Sequence, residues 1–205
     1  MATRAQLRRI LRAQRISPET VKIMARVDRR QFVPRSRWAA AYVDRPLSIG
    51  YGVTISQPSL VGKMVDYLRL EPISTVLELG TGSAYNARII ADLVPFGRLT
   101  TVERVSPLAA RAKRRFAGRH NVTVVEGDAT AARFGHPFDR IVATAEFLNR
   151  AQMARLVEKN AAFFCIAVYP YKGVLWRMVK CGRRVTTQRL MRVRFVPVLS
   201  GTRQS

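Results

Sequence analysis

Acid is what this chain has least of. Thirteen aspartates and glutamates stand against 36 lysines and arginines, a formal net charge of +23, and no acid precedes Glu19 or follows Glu158. Histidine is nearly absent. His120 and His136 lie in segments read as surface loops and share no metal-ligand spacing with either cysteine, so no metal site is expected. Two cysteines allow at most one bridge. Cys165 falls inside the apolar run AAFFCIAVY and Cys181 at the turn KCGRR, so buried and turn thiols in a reducing compartment are expected. No apolar run approaches the roughly 18 residues of a membrane span, which excludes a membrane partner from the reading. There is no secretory core either, and repeats, low-complexity tracts and linkers are also missing.

What is there describes one domain, residues 1–205, long enough at 48% hydrophobic content to bury about 70% of its unfolded surface. Within it, residues 1–60 read as a helical segment with a substrate loop and residues 61–205 as a ligand-binding sheet. A monomer is expected. The start, MATRAQLRRILRAQR, is either a surface helix of a cytoplasmic protein or a mitochondrial transit peptide. Thirty of the 36 basic residues are arginine, which genome composition or function can produce. The excess gathers at the ends: twelve Lys/Arg against three acids in residues 1–45, and ten against none after Glu158. Such a field attracts RNA or an acidic partner and says nothing about fold.

Elements of two kinds alternate along the chain. Ser17 and Pro18 open a helix as N-cap and first helical residue. TVLEL (75–79), RLTTVE (98–103), NVTVVEGD (121–128), FDRIVATA (138–145) and FFCIAVYP (163–170) read as strands, with helical spacing between most of them. This order predicts an α/β fold, a doubly wound, mostly parallel Rossmann-like sheet. GVLWRMVK and TQRLMRVRFVPV add an antiparallel pair at its C-terminal edge. Trp38 and Trp176 are expected in the packing.

Ligands of such sheets bind at the carboxyl ends of the strands. ELGTGSAY follows the first sheet strand and opens a helix, so Gly80, Thr81, Gly82 and Ser83 offer close backbone approach and free N–H donors. Glu103, at the end of the next strand, is placed to take both hydroxyls of a ribose. Asp128, followed by Ala129, is placed to accept from an adenine amino group. The loop lacks the Lys-Ser/Thr pair of a triphosphate site. Glu78, just before it, suits a ligand bearing an ammonium group, so S-adenosyl-L-methionine fits this set best. Upstream, GYGVTISQPSLV (50–61) is an uncharged hydroxyl loop aimed into a helix.

VDRRQFVP (27–34), AYVDRPLSIGYGVTISQP (41–58), VLELGTGSAY (76–85), NVTVVEGDA (121–129), PFDRIVATA (137–145) and VRFVPVLSG (193–201) together resemble the protein-L-isoaspartate O-methyltransferase family, in order and spacing. The resemblance implies a seven-stranded methyltransferase sheet, S-adenosyl-L-methionine as donor, and isoaspartyl carboxylates of damaged proteins as acceptors. It also implies that Ser56 lies beside the transferred methyl, with Thr54 as a second hydroxyl toward the acceptor. The alternative for Ser56 is an N-cap of the following helix. An acceptor carboxylate is ionised near pH 7 and needs alignment rather than a base.

Several residues depart from the family pattern. Ala84 replaces a third loop glycine, a position expected to serve close packing. Val53 stands where glutamine is frequent, and Asn160 with two alanines replaces a Gly-Gly turn. Glu146 would bring negative charge toward an anionic acceptor unless it points away. The expected function is protein repair by carboxyl methylation. The alternative is a catalytically weak or inactive relative associated with RNA or a ribosome through its basic surface.

Overall fold

The computed structural model describes residues 2–131, 134–147, 149–195 and 201–202. Two helices begin the chain, α1 (Arg4–Ala13) and α2 (Pro18–Arg26). Thr3 and Gln6 close a reciprocal capping box on α1, and the Ser17 hydroxyl accepts from the Thr20 amide at the start of α2, with Pro18 at its first position. Asp66 accepts from the amide and hydroxyl of Ser17 and the hydroxyl of Thr20, pinning α2 to α3 (Pro58–Leu68). Between them the chain forms β1 (Leu47–Gly50) and β2 (Val53–Ile55), an antiparallel hairpin where the sequence suggested only a loop. Its two-residue turn has positive φ at both Tyr51 (56°) and Gly52 (69°). A lone hairpin is marginal in water; this one buries Leu47, Ile49 and Ile55 in the main core.

The large sheet has seven strands: β3 (Thr75–Leu79), β4 (Arg98–Glu103), β5 (Val122–Glu126), β6 (Phe138–Ala143), β7 (Ala161–Tyr171), β8 (Val174–Cys181) and β9 (Arg184–Arg192). Their spatial order is β5-β4-β3-β6-β7-β8-β9, parallel through β7 and antiparallel at β7–β8 and β8–β9. The expected strand TQRLMRVRFVPV thus begins earlier, at Arg184, and ends at Arg192, short of the expected 193–195, while residues 196–198 lie outside the described residues. From β3 the chain runs outward to β5 and then returns to the other side of β3. That reversal opens a crevice at the carboxyl ends of β3, β4 and β6.

One sheet face is covered by α3, α4 (Tyr85–Leu93) and α5 (Ser106–Arg115), whose apolar residues join Leu7, Leu11 and Met24 of the first two helices in a single core. The other face packs against α6 (Arg150–Asn160) and the chain around Ala129 and Phe134. At the missing Gly-Gly turn, α6 passes directly into β7, and Asn160 Nδ2 donates to the Leu156 carbonyl at 3.0 Å. Cys165 is buried, Cys181 exposed, and both are free. Trp38 corrects the packing expectation: it is 43% exposed, with the Arg35 guanidinium over its ring.

Ala84 corrects another. It is the N-cap of α4 and adopts φ 68°, ψ 13°, so the position demands a left-handed backbone as well as close packing. An L-residue is strained there by about 1 kcal/mol. Ala84→Gly should therefore raise stability by roughly 0.5–1 kcal/mol, read as a shift of the urea midpoint. An unchanged midpoint would mean that packing of the buried methyl offsets the strain.

Candidate active site

A cavity of about 420 Å³ occupies the crevice, walled on one side by the turn after β3 and the ends of β4 and β5, and on the other by the β1–β2 hairpin and the start of α3. Of the residues singled out in the sequence, Thr54, Ser56, Gly80, Thr81, Gly82, Ser83, Glu103, Asp128 and Ala129 line it together. Glu78 does not.

The turn after β3 is held from beneath and behind. Gly80 (φ 95°) and Gly82 (φ 52°) both use backbone that favours glycine, and a Cβ on Gly80 would come within 2.6 Å of the Thr144 hydroxyl. The amides of Gly80 and Thr81 donate to the Val102 carbonyl at 2.9 and 3.2 Å. Glu103, 5% exposed, accepts from the Gly82 amide at 2.7 Å through one oxygen and from the Val105 amide at 2.9 Å through the other. Its carboxylate is thereby fixed at the cavity wall with lone pairs to spare. A Cβ on Gly82 would lie 3.9 Å from Val53 Cγ1, so the hairpin tip sits against the glycine turn.

Glu78 lies under this turn, fully buried, rather than facing a ligand's ammonium group. It accepts from Asn86 Nδ2 at 2.7 Å and from the Thr101 hydroxyl at 2.5 Å, and Thr101 Oγ1 is 2.6 Å from Thr81 Oγ1. Burial pushes its carboxyl up to about 7, against the two hydrogen bonds and with a further push from Glu103. Asn86 reaches the cavity in its place. Its Oδ1 is buried and has no protein partner among the described residues.

Asp128 accepts from the amide and hydroxyl of Thr130 at 2.8 and 2.7 Å, and from the Gly201 amide at 2.8 Å. Burial would raise its carboxyl, but these bonds and the charge of Arg104 outweigh it and hold it below its ordinary value. Arg104 donates to the Gly201 carbonyl, so the chain near its C-terminus passes over this corner.

On the hairpin side of the cavity, Thr54 is exposed and Ser56 half-buried. Ser56 is not the cap of α3. The N-cap is Gln57, and the Ser59 amide instead donates to Asp44 at 2.8 Å. Glu146 points away: its carboxylate accepts from the Gly173 amide at 2.6 Å in the β7–β8 turn.

Besides Asn86, the sequence reading missed Arg29. Fully buried, it donates to the carbonyls of Ala41 (2.6 Å), Arg45 (3.3 Å) and Ser56 (2.9 Å), and its guanidinium sits 5.6 Å from the ring centre of Tyr85, the first residue of α4. Burial lowers its pKa to about 10, so it remains cationic at neutral pH. The only sequence signal was its place in VDRRQFVP, one of the segments that carry the family resemblance.

A family model described as protein-L-isoaspartate(D-aspartate) O-methyltransferase matches residues 2–203. The protein-L-isoaspartate O-methyltransferase of Fervidobacterium nodosum is 37% identical over 193 residues, covering 89% of this chain and 94% of that one. Its namesake in Ignicoccus hospitalis is 36% identical, covering 88% and 89%. Among solved structures, a protein-L-isoaspartate O-methyltransferase superposes with a TM-score of 0.85 at 23% identity, covering 95% of this chain and 65% of that one. A Plasmodium falciparum protein solved with S-adenosyl-L-homocysteine gives 0.81 at 21%, covering 97% and 99%. At these identities the structural likeness is one of fold.

Two outcomes are expected from this geometry. Glu78 is protonated in the folded protein up to about pH 7 but ionises near 4.5 when unfolded, so stability falls as pH rises between those values, by roughly 3 kcal/mol. Glu78→Gln should lack that decline in denaturant unfolding; identical pH profiles would show that Glu78 ionises normally. Arg29→Met should cost on the order of 3–5 kcal/mol by orphaning three carbonyls. Arg29→Lys should restore only part of this, since a point ammonium cannot span them. Full recovery with lysine would mean that charge alone suffices.

Proposed function

The chain belongs to the protein-L-isoaspartate(D-aspartate) O-methyltransferase family, and from that premise we propose that it methylates the side-chain carboxylate of L-isoaspartyl residues in damaged proteins. It is an S-adenosyl-L-methionine-dependent repair enzyme. The observation that carries the reading is the meeting, in one cavity, of the glycine turn with Glu103 and the hairpin that bears Thr54 and Ser56.

The cavity fits the donor. Its volume of about 420 Å³ is within the roughly 300–1,000 Å³ of small-molecule sites. Gly80–Ser83 form a cradle that side chains would fill, Glu103 keeps acceptor capacity for ribose hydroxyls, and Asp128 with Ala129 borders the adenine end. Asn86 lines the cavity and Glu78 does not, so the side chain placed toward an ammonium group is this amide. When bound, S-adenosyl-L-methionine supplies an electrophilic methyl group. The acceptor carboxylate is ionised at neutral pH, so the protein's task is placement and exclusion of water. Thr54 and Ser56 orient the acceptor with neutral hydroxyls, and Arg29 fixes the backbone from which Ser56 projects. Residues 1–60 serve as the acceptor side of a single domain and residues 61–205 as the donor side.

The reading in which catalysis is lost is not favoured. Glu146 is engaged in a hairpin turn away from the cavity, and the missing Gly-Gly turn leaves β7 in place. The basic surface retains a separate meaning. Arg8, Arg9 and Arg12 share the exposed face of α1, opposite buried Leu7 and Leu11. With the basic C-terminal strands they support contact with RNA or an acidic partner. No helix among the described residues is long and apolar enough to cross a membrane. A monomer in a reducing compartment, cytoplasmic or alternatively mitochondrial, completes the proposal, with the free cysteines in its support.

Methyl transfer to an isoaspartyl peptide, with its aspartyl twin as control, tests the function. Transfer to the isoaspartyl form alone is expected; absence of transfer would overturn the reading. Ser56→Ala should lower turnover at saturation while leaving donor affinity within a few-fold. A collapse of donor affinity with normal turnover would move Ser56 to the donor side.

A further inference from the structure

A second cleft, of about 810 Å³, opens at the amino-terminal ends of β4 and β5. The donor cavity lies at their carboxyl ends, a strand length away, roughly 20 Å. Four arginines from four separate chain segments line this cleft: Arg26 at the end of α2, Arg88 on α4, Arg98 opening β4, and Arg119 in the loop before β5. The one acid among the lining residues, Asp92, is shared by Arg88 and Arg119 at 2.9 and 2.6 Å. Arg26 and Arg98 are exposed and make no ion pair among the described residues. At the lip stands Phe96, 82% exposed.

We propose that this cleft binds single-stranded RNA, its arginines spanning successive phosphates and Phe96 stacking on an unpaired base. The proposal rests on reading the +23 field as functional. Like charges set side by side repel, and a polyanion relieves that repulsion. Because the four cations are spread over separate chain segments, they match an extended backbone better than one phosphate group. An exposed ring beside them selects single strands, whose bases offer a free face, over duplex or an acidic protein surface. Both walls are tied to the fold by backbone contacts. The Phe96 amide donates to the Pro72 carbonyl, and a Cβ on Gly97 would collide with the Ser74 carbonyl. Across the cleft, Asn121 Nδ2 donates to the carbonyls of Ala91 and Val94.

Fluorescence anisotropy with a labelled single-stranded RNA oligonucleotide, titrated at several salt concentrations, tests this on the full chain. Phe96→Ala should weaken binding roughly 5- to 100-fold. The pair Arg26→Glu and Arg98→Glu should weaken it further and lower the log–log salt slope by about 1.4, at about 0.7 per phosphate on a single strand. Methyl transfer to the isoaspartyl peptide should be unchanged in all three substitutions, which also reports that they fold. A control carries Arg8→Glu, Arg9→Glu and Arg12→Glu on α1. If the control loses RNA binding while the cleft variants keep it, RNA contact stands and this cleft is the wrong place. If the wild type binds no RNA at low salt, the RNA reading itself fails. If duplex or polyglutamate competes as well as single strands and Phe96→Ala changes nothing, the stacking assignment is overturned in favour of an acidic partner.

Discussion

The active site depends on one buried guanidinium. A cation removed from water is costly, and Arg29 is held without a carboxylate in hydrogen-bond contact. Three carbonyl oxygens take the place of a counter-ion, one from each of three chain segments: the turn at Ala41, the stretch at Arg45 and the end of the hairpin at Ser56. The aromatic face of Tyr85 covers the same charge. A planar fork meets these demands together because its donors point in fixed directions. The acceptor hairpin is thereby tied to the first residue of the helix that follows the glycine turn. The hairpin wall and the glycine-turn wall of the cavity are set by the same side chain.

The donor side rests on a second buried polar system. Thr81, Thr101, Glu78 and Asn86 form a chain of hydrogen bonds under the glycine turn. In such a dry environment each member polarises the next, and an unsatisfied member is costly. Thr81 and Asn86, at the two ends of this chain of bonds, both line the cavity, and Asn86 Oδ1 is left buried without a protein partner among the described residues. The carboxyl of Glu78 thus acts through its neighbours, whereas Glu103, held between two amides, is the acid at the cavity wall.

The two ends of the sheet carry different chemistries. The carboxyl ends hold backbone donors, two neutral hydroxyls and fixed carboxylates, suited to aligning two small groups. The amino ends hold arginines and an exposed ring. The length of the strands separates the arginine cleft from the cavity, whose own lining includes Arg104 and Arg194. Glu146, the one acid that threatened the acceptor side, is occupied by a turn amide.

Much of the fold follows from local pattern. Period-two and continuous apolar runs place β3 at 75–79 and β4 at 98–103, and Ser17 with Pro18 starts α2, because these signals act within a few residues. The glycine turn and Glu103 were legible for the same reason: strand ends in a parallel sheet converge on one crevice whatever the loops do. What the sequence could not reveal was decided by contacts across the assembled fold. The partners of Arg29 lie up to 27 residues away, and those of Asp128 up to 73. The inward turn of Glu78, the left-handed Ala84 and the escape of Glu146 are equally tertiary. Residue type states what a side chain can bond; only packing fixes which backbone carbonyls and amides come within its reach, because burial leaves polar groups no water to fall back on.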